Sequence, residues 1–149
     1  MPEESLVPKD VKSVAKAVYR HRRKGHGRLP RSIQETHGIL EDMEVKSNKS
    51  ELLLQTNDNV NGLIIFSCLS NIQCLCSVSE IFMDGTYKCC PKFFSQLYTI
   101  HGFKNGHCIP LVYALLSGKS ESTYRHCISA VTSFYSKHGC KFKPSIIHV

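Results

Sequence analysis

The segment SQLYTIHGFKNGHCIPLVYALLS, Ser95 to Ser117, holds two apolar runs joined by Asn105-Gly106. Asn-Gly between apolar runs is the strongest short-range hairpin signal, because both residues tolerate the positive φ of a type I′ turn. A chain containing it is committed to a sheet built around a tight antiparallel pair. Pro110 lies inside the second run. Proline has no amide hydrogen to give a ladder, so its strand is expected at a sheet edge or at a bulge.

The flanking segments extend this unit. GLIIFSCL, from Gly62, reads as a short buried strand, and LSNIQCLCSVS as one or two helical turns. EIFMDGTY, from Glu80, reads as a strand ending at Asp84. After the hairpin, SESTYRHCISAVTSFYSKHG sets Tyr124, Cys127, Ile128, Val131, Phe134 and Tyr135 on one helical stripe. Ser120 or Ser122 can cap its start, and Gly139 suits the position after its end. KFKPSIIHV then opens a further strand. A helical crossover implies that this strand runs parallel to an earlier one, most simply the one that carries Asp84.

The N-terminal part reads differently. Val11, Val14, Ala15 and Val18 form an amphipathic stripe, with Pro8 suited to the first turn. RHRRKGHGRLPR, Arg20 to Arg31, reads as a basic linker, and a nuclear-import or phosphate-contacting role competes with a plain solvated one. Ser32-x-x-Glu35 matches a capping box. Residues 41 to 61 are polar apart from Leu52-Leu53-Leu54, a candidate edge strand, and the boundary is expected there. The expected division is 1–60, a basic helical region and linker, and 61–149, a mixed α/β core.

The net charge is +7, and its distribution says more than its sum. The first 31 residues carry nine Lys and Arg against three acids, and residues 85 to 149 carry eight against one, Glu121. Two basic arms around an acidic middle point to a polyanion partner, with a solvated basic face as the alternative. Candidate phosphate contacts are Arg20, Arg22, Arg23, Lys24, Arg28 and Arg31. The polar start, MPEESLVPKD, shows no secretory h-region. No apolar run approaches the roughly 20 residues of a membrane helix. The eight Cys form no C-x-x-C pair, so reduced, mostly buried thiols are expected rather than disulfides or structural zinc.

Asp84-Gly85-Thr86-Tyr87, Pro91, Gln96 to Gly102, Ile109 to Leu116, Lys119 and Tyr124 together resemble the opening of the transposase domain of Mutator-like elements (the MULE family), including the copies downstream of FLYWCH-type zinc fingers. The resemblance runs from about Gly62 to Val149 and implies an RNase H-like fold, present in its first half: three antiparallel strands, a helix and the start of a fourth strand. It implies that Asp84 is the first acid of a DDE triad and a ligand for Mg²⁺ or Mn²⁺, that the partner is DNA, and that the protein is nuclear. On pattern alone, Asp-Gly is also a common turn pair.

Two metals clamp the attacking and leaving oxygens of a phosphodiester, and one carboxylate cannot hold both ions. After Asp84 only Glu121 remains, in the first turn of the predicted helix, where the helix dipole accounts for it. The second acid of the family falls just past the strand matching Ile146 to Val149. The expectation is therefore an incomplete, inactive piece of a DNA strand-transfer enzyme that binds no metal tightly and binds DNA weakly and without sequence preference. The alternative is a domesticated DNA- or protein-binding module.

Overall fold

The computed structural model describes residues 8–149, with side chains from Val11 onward. The polar segment Met1 to Val7, read above for a signal sequence, lies outside the described residues. The chain divides into two compact units, Met1–Pro30 and Arg31–Val149. The division therefore falls earlier than the boundary expected near residue 60. The reason is that residues 33 to 58 contribute a helix and an edge strand to the second unit.

In the first unit, α1 spans Pro8–Lys24. The predicted stripe is helical, and Val11, Val14 and Val18 are exposed. The helix runs through Arg20 to Lys24, where the sequence pattern predicts a linker. Nothing breaks it before Gly25, and its last turn is basic, where cations oppose the negative end of the helix dipole.

The second unit holds α2 (Ile33–Glu41), β1 (Leu54–Asp58), β2 (Leu63–Phe66), α3 (Leu69–Ser77), β3 (Glu80–Thr86), β4 (Gln96–Lys104), β5 (His107–Leu116), α4 (Glu121–Lys137) and β6 (Ile146–His148). Among the described residues the fold is thus mixed α/β, with four helices and one six-stranded sheet ordered β1-β2-β5-β4-β3-β6. All neighbours are antiparallel except β3 and β6, which pair in parallel from Glu80↔Ile146 to Phe82↔His148. The parallel crossover expected beside the Asp84 strand is present.

The β4–β5 hairpin closes on Asn105 and Gly106, both at positive φ, with Lys104 opposite His107. Pro110 lies beside a bulge of an internal strand, β5 sitting between β2 and β4, and β2 reaches only Tyr113 to Leu116, so Pro110 itself has β4 alone as neighbour. Ile100 faces Val112 while His101 faces Pro110, so Leu111 is the extra residue. Its carbonyl is satisfied from outside the hairpin: the buried Ser67 hydroxyl donates to it at 2.8 Å and Asn71 Nδ2 at 3.1 Å. The bulge turns Leu111 and Val112 to the same face, and both are buried there. Gly102 makes the room, because a Cβ on it would meet Leu111 Cδ1 at 2.9 Å.

That face is the core. Ile81, Ile100, Val112, Ala114 and Leu116 pack under Ile72 and Leu75 of α3 and Cys127, Val131 and Tyr135 of α4. Ile64 and Leu115 point to the opposite face, where α2 lies: His37 is fully buried, 2.5 Å from Asn57 Oδ1, and Asn57 Nδ2 donates to the His37 carbonyl. Ser32 caps α2 by accepting from the Glu35 amide at 3.1 Å, while the Glu35 carboxylate reaches back to the Arg31 amide. Ser120 caps α4 by accepting from the Thr123 amide. The helix ends at Gly139, φ +68°, with Cys140 N–H on the Tyr135 carbonyl and Gly139 N–H on that of Ser136, a Schellman end.

The cysteines depart from the expected pattern. All eight are free, but only Cys68 and Cys127 are buried, and Cys89 and Cys108 are exposed. Cys89 lies in the turn after β3, and Cys108 stands near the hairpin tip on the sheet face away from the core. Burial pushes the Cys127 thiol up to about 12.

Tyr135 is buried against Phe142 in a stacked pair, and its hydroxyl has no partner among the described residues. An unpaired buried hydroxyl costs stability that a phenyl ring would not. Tyr135→Phe is expected to raise the unfolding free energy by about 1 kcal/mol. Tyr135→Ala should lower it by about 3–5 kcal/mol, as for other buried aromatics. Urea unfolding measures both.

Candidate functional site

The sheet positions Asp84 near the end of β3, opposite Thr99 of β4. On the other side, β6 pairs only with Glu80 to Phe82, so the edge of β3 from Met83 onward borders a cleft. The cleft has a volume of about 430 Å³ and is walled by Asp84, Tyr87, Gln96, Tyr98, Tyr124 and Val149, among others. The Asp84 side chain is exposed at its rim.

Gly85 and Gln96 set the shape of this rim. A Cβ on Gly85 would stand 2.7 Å from Gln96 Oε1, so only glycine lets β3 lie this close to the amide. Gln96 is fully buried. Its Nε2 donates to the Gly118 carbonyl at 3.1 Å and lies 2.9 Å from the Tyr124 hydroxyl, which is 3.2 Å from Oε1. One amide thus ties β4 to the loop before α4 and to the first turns of α4. Tyr98 meets Tyr124 edge-on at 5.4 Å. Burial raises the pKa of the Tyr98 phenol, and Cys127, Tyr124 and Asp84 raise it further. Lys119 Nζ sits 3.9 Å above the Tyr87 ring, a cation–π contact at the entrance.

Among the described residues the other acids do not converge on Asp84. Glu80 starts β3, roughly 13 Å away along an extended strand, and its carboxylate is 2.7 Å from His148 Nε2. Glu121 occupies the first turn of α4 and pairs with Arg125 one turn on. Among the described residues no three His, Cys, Asp or Glu side chains are grouped as a metal site. The residues present therefore do not fit a two-metal centre, which takes more than one carboxylate.

The predicted phosphate contacts fall in both compact units. Arg20, Arg22, Arg23 and Lys24 are exposed on the last turns of α1, and Arg28 lies in the following coil. Arg31 opens the second unit, with its amide on Glu35. No described helix is long and apolar enough to cross a membrane. The sequence places Gln96 in an apolar strand run and gives it no role of its own. The available signal was an amide inside an otherwise apolar strand two places from Tyr98, since a buried amide must be bonded.

No family model matches the chain, and no curated protein and no solved structure matches it.

Because the Gln96 amide abuts Gly85, Gly85→Ala is expected to destabilise by about 1–3 kcal/mol, as overpacking does. In a Gln96→Ala background the same change should cost less, by more than about 0.5 kcal/mol, a coupling read from a double-mutant cycle of denaturation curves. Additive costs would show that the contact does not set the rim.

Proposed function

We propose that the second unit descends from the RNase H-like domain of a Mutator-type DDE transposase and retains one acid of its catalytic site. The observation that carries this reading is the place of Asp84. It stands near the end of the strand between an antiparallel neighbour, β4, and a parallel one, β6, that follows a helix. The order meander, helix, parallel strand agrees with the first half of such a domain, and the acid lies where a DNA backbone can approach. Gly85 lets β3 lie against the buried Gln96 amide behind the acid.

Cleavage by two metals needs carboxylates that the described residues do not bring to Asp84. Purified protein is accordingly expected to cut no DNA in Mg²⁺ or Mn²⁺. Millimolar Mn²⁺ should still broaden the amide NMR signals of Met83 to Thr86 and of Thr99, and Asp84→Asn should abolish this. Broadening that ignores the substitution would sink the assignment of Asp84. Metal-dependent cleavage lost in Asp84→Asn would instead reveal further ligands, such as those of a second copy of the chain.

A second reading, DNA binding without catalysis in a nuclear protein, is favoured by the exposed basic run at the end of α1. Phosphate contacts release counterions, so affinity falls steeply with salt. Replacing Arg20, Arg22, Arg23, Lys24, Arg28 and Arg31 by Ala should flatten the log–log salt slope by up to about 5, at 0.9 per contact. Fluorescence anisotropy on a DNA duplex measures it. An unchanged slope would remove this segment as the contact surface.

A further inference from the structure

The sheet face opposite α3 and α4 carries a relay of hydrogen bonds that the proposed function does not use. Cys108 Sγ lies 3.5 Å from His101 Nδ1. The other ring nitrogen, Nε2, lies 2.9 Å from Thr99 Oγ1. Thr99 Oγ1 donates to the Asp84 carbonyl at 3.4 Å. One assignment of protons satisfies every link. The Thr99 hydrogen is committed to a carbonyl, which can only accept. Thr99 oxygen therefore accepts from Nε2–H, and the neutral ring then presents a bare Nδ1 to the Cys108 thiol.

This is the arrangement of an activated thiol: nucleophile, base, and a third group that holds the base in one tautomer. The two-residue hairpin turn sets it. Closing Lys104 opposite His107 places Cys108 opposite Phe103 and diagonal to His101, and Thr99, two residues before His101 on β4, shares that face. Cys108 is exposed, so a reagent can reach it.

We infer that Cys108 is a thiol-modification site, selective for small disulfides and soft electrophiles. In the step with oxidised glutathione, His101 Nδ1 takes the thiol proton and the Cys108 sulfur attacks one sulfur of the reagent. The new S–S bond forms as the reagent's own S–S bond breaks. One glutathione stays on Cys108 as a mixed disulfide. The other leaves as thiolate and takes up the proton from His101. Cys108 is oxidised and the departing glutathione sulfur is reduced, so the electrons balance.

Cys89 supplies the internal control, being also exposed but with no imidazole at hydrogen-bonding distance among the described residues. The full chain is treated at pH 7 with limiting iodoacetamide, and separately with oxidised glutathione, and the peptides are mapped by mass spectrometry over time. Cys108 is expected to react on the order of tenfold faster than Cys89 with both reagents. His101→Gln should bring Cys108 to within about twofold of Cys89, and Thr99→Val, which removes the tautomer-holding oxygen, should have an intermediate effect. Equal rates for the two thiols in the native protein would overturn the inference without recourse to any variant. A Cys108 rate unchanged by His101→Gln, in protein whose circular dichroism matches the parent, would overturn the role of the imidazole.

Discussion

The carbonyl of Leu111 is where the fold is decided. Pro110 denies β5 a continuous ladder, and the chain answers with one extra residue whose carbonyl would be orphaned if nothing reached it. Ser67, just after β2, and Asn71, in α3, both donate to it. The defect thereby becomes a joint between a central strand, the end of a neighbouring strand and a helix. It also rotates Leu111 into the core beside Val112, which the absent Cβ of Gly102 permits. The packing of α3 on the sheet and the two-faced character of β5 both follow from this one accommodation.

The same logic of a polar group closing a backbone problem recurs at Gln96. There a buried amide bonds the loop after β5 and the start of α4, and its bulk dictates glycine after Asp84. The Asp84 rim is thus shaped from behind, by packing on the core side, while its carboxylate faces solvent. A single exposed carboxylate so placed offers acceptor oxygens and one negative charge to the solvent side of the sheet. It becomes a phosphodiester-cutting centre only with other acids beside it.

Several features were readable from residue order because they rest on local chemistry. Asn105-Gly106 selects its turn by φ alone, the Tyr124–Tyr135 stripe selects a helix by period, and Gly139 marks its end. The parallel partner of β6 was also legible, since a helical crossover leaves few choices. What escaped depends on register across strands. Pro110 announced an edge or a bulge, but not which, because that turns on whether β2 reaches alongside β5. The Cys108–His101 contact is a diagonal pair set by the hairpin register, but which ring nitrogen meets the thiol depends on the Thr99 hydrogen bond, which no spacing along the chain encodes. The division falls after Pro30 because the edge strand expected at Leu52 to Leu54 runs on through polar residues to Asp58 and is tied in by the Gln55 and Asn57 amides, which no apolar pattern announces.

β6 has a different standing from the other strands. Its three residues are all exposed, and it meets β3 at three register positions. With the hairpin and α4 folded, docking β6 on β3 closes only the connection between Lys137 and Ile146, some eight residues, an entropic cost of roughly (3/2)RT ln n, or about 2 kcal/mol. Against it stand two amides on the Ser79 carbonyl, the Phe82–His148 stack at 4.3 Å, and the Glu80–His148 contact. So near a balance, this strand can leave and return while the hairpin and α4 stay folded, a subglobal opening with its own small free energy. Each departure bares the edge of β3 along Glu80 to Phe82 and lengthens the groove that begins at Asp84, making the cleft a fluctuating quantity rather than a fixed one.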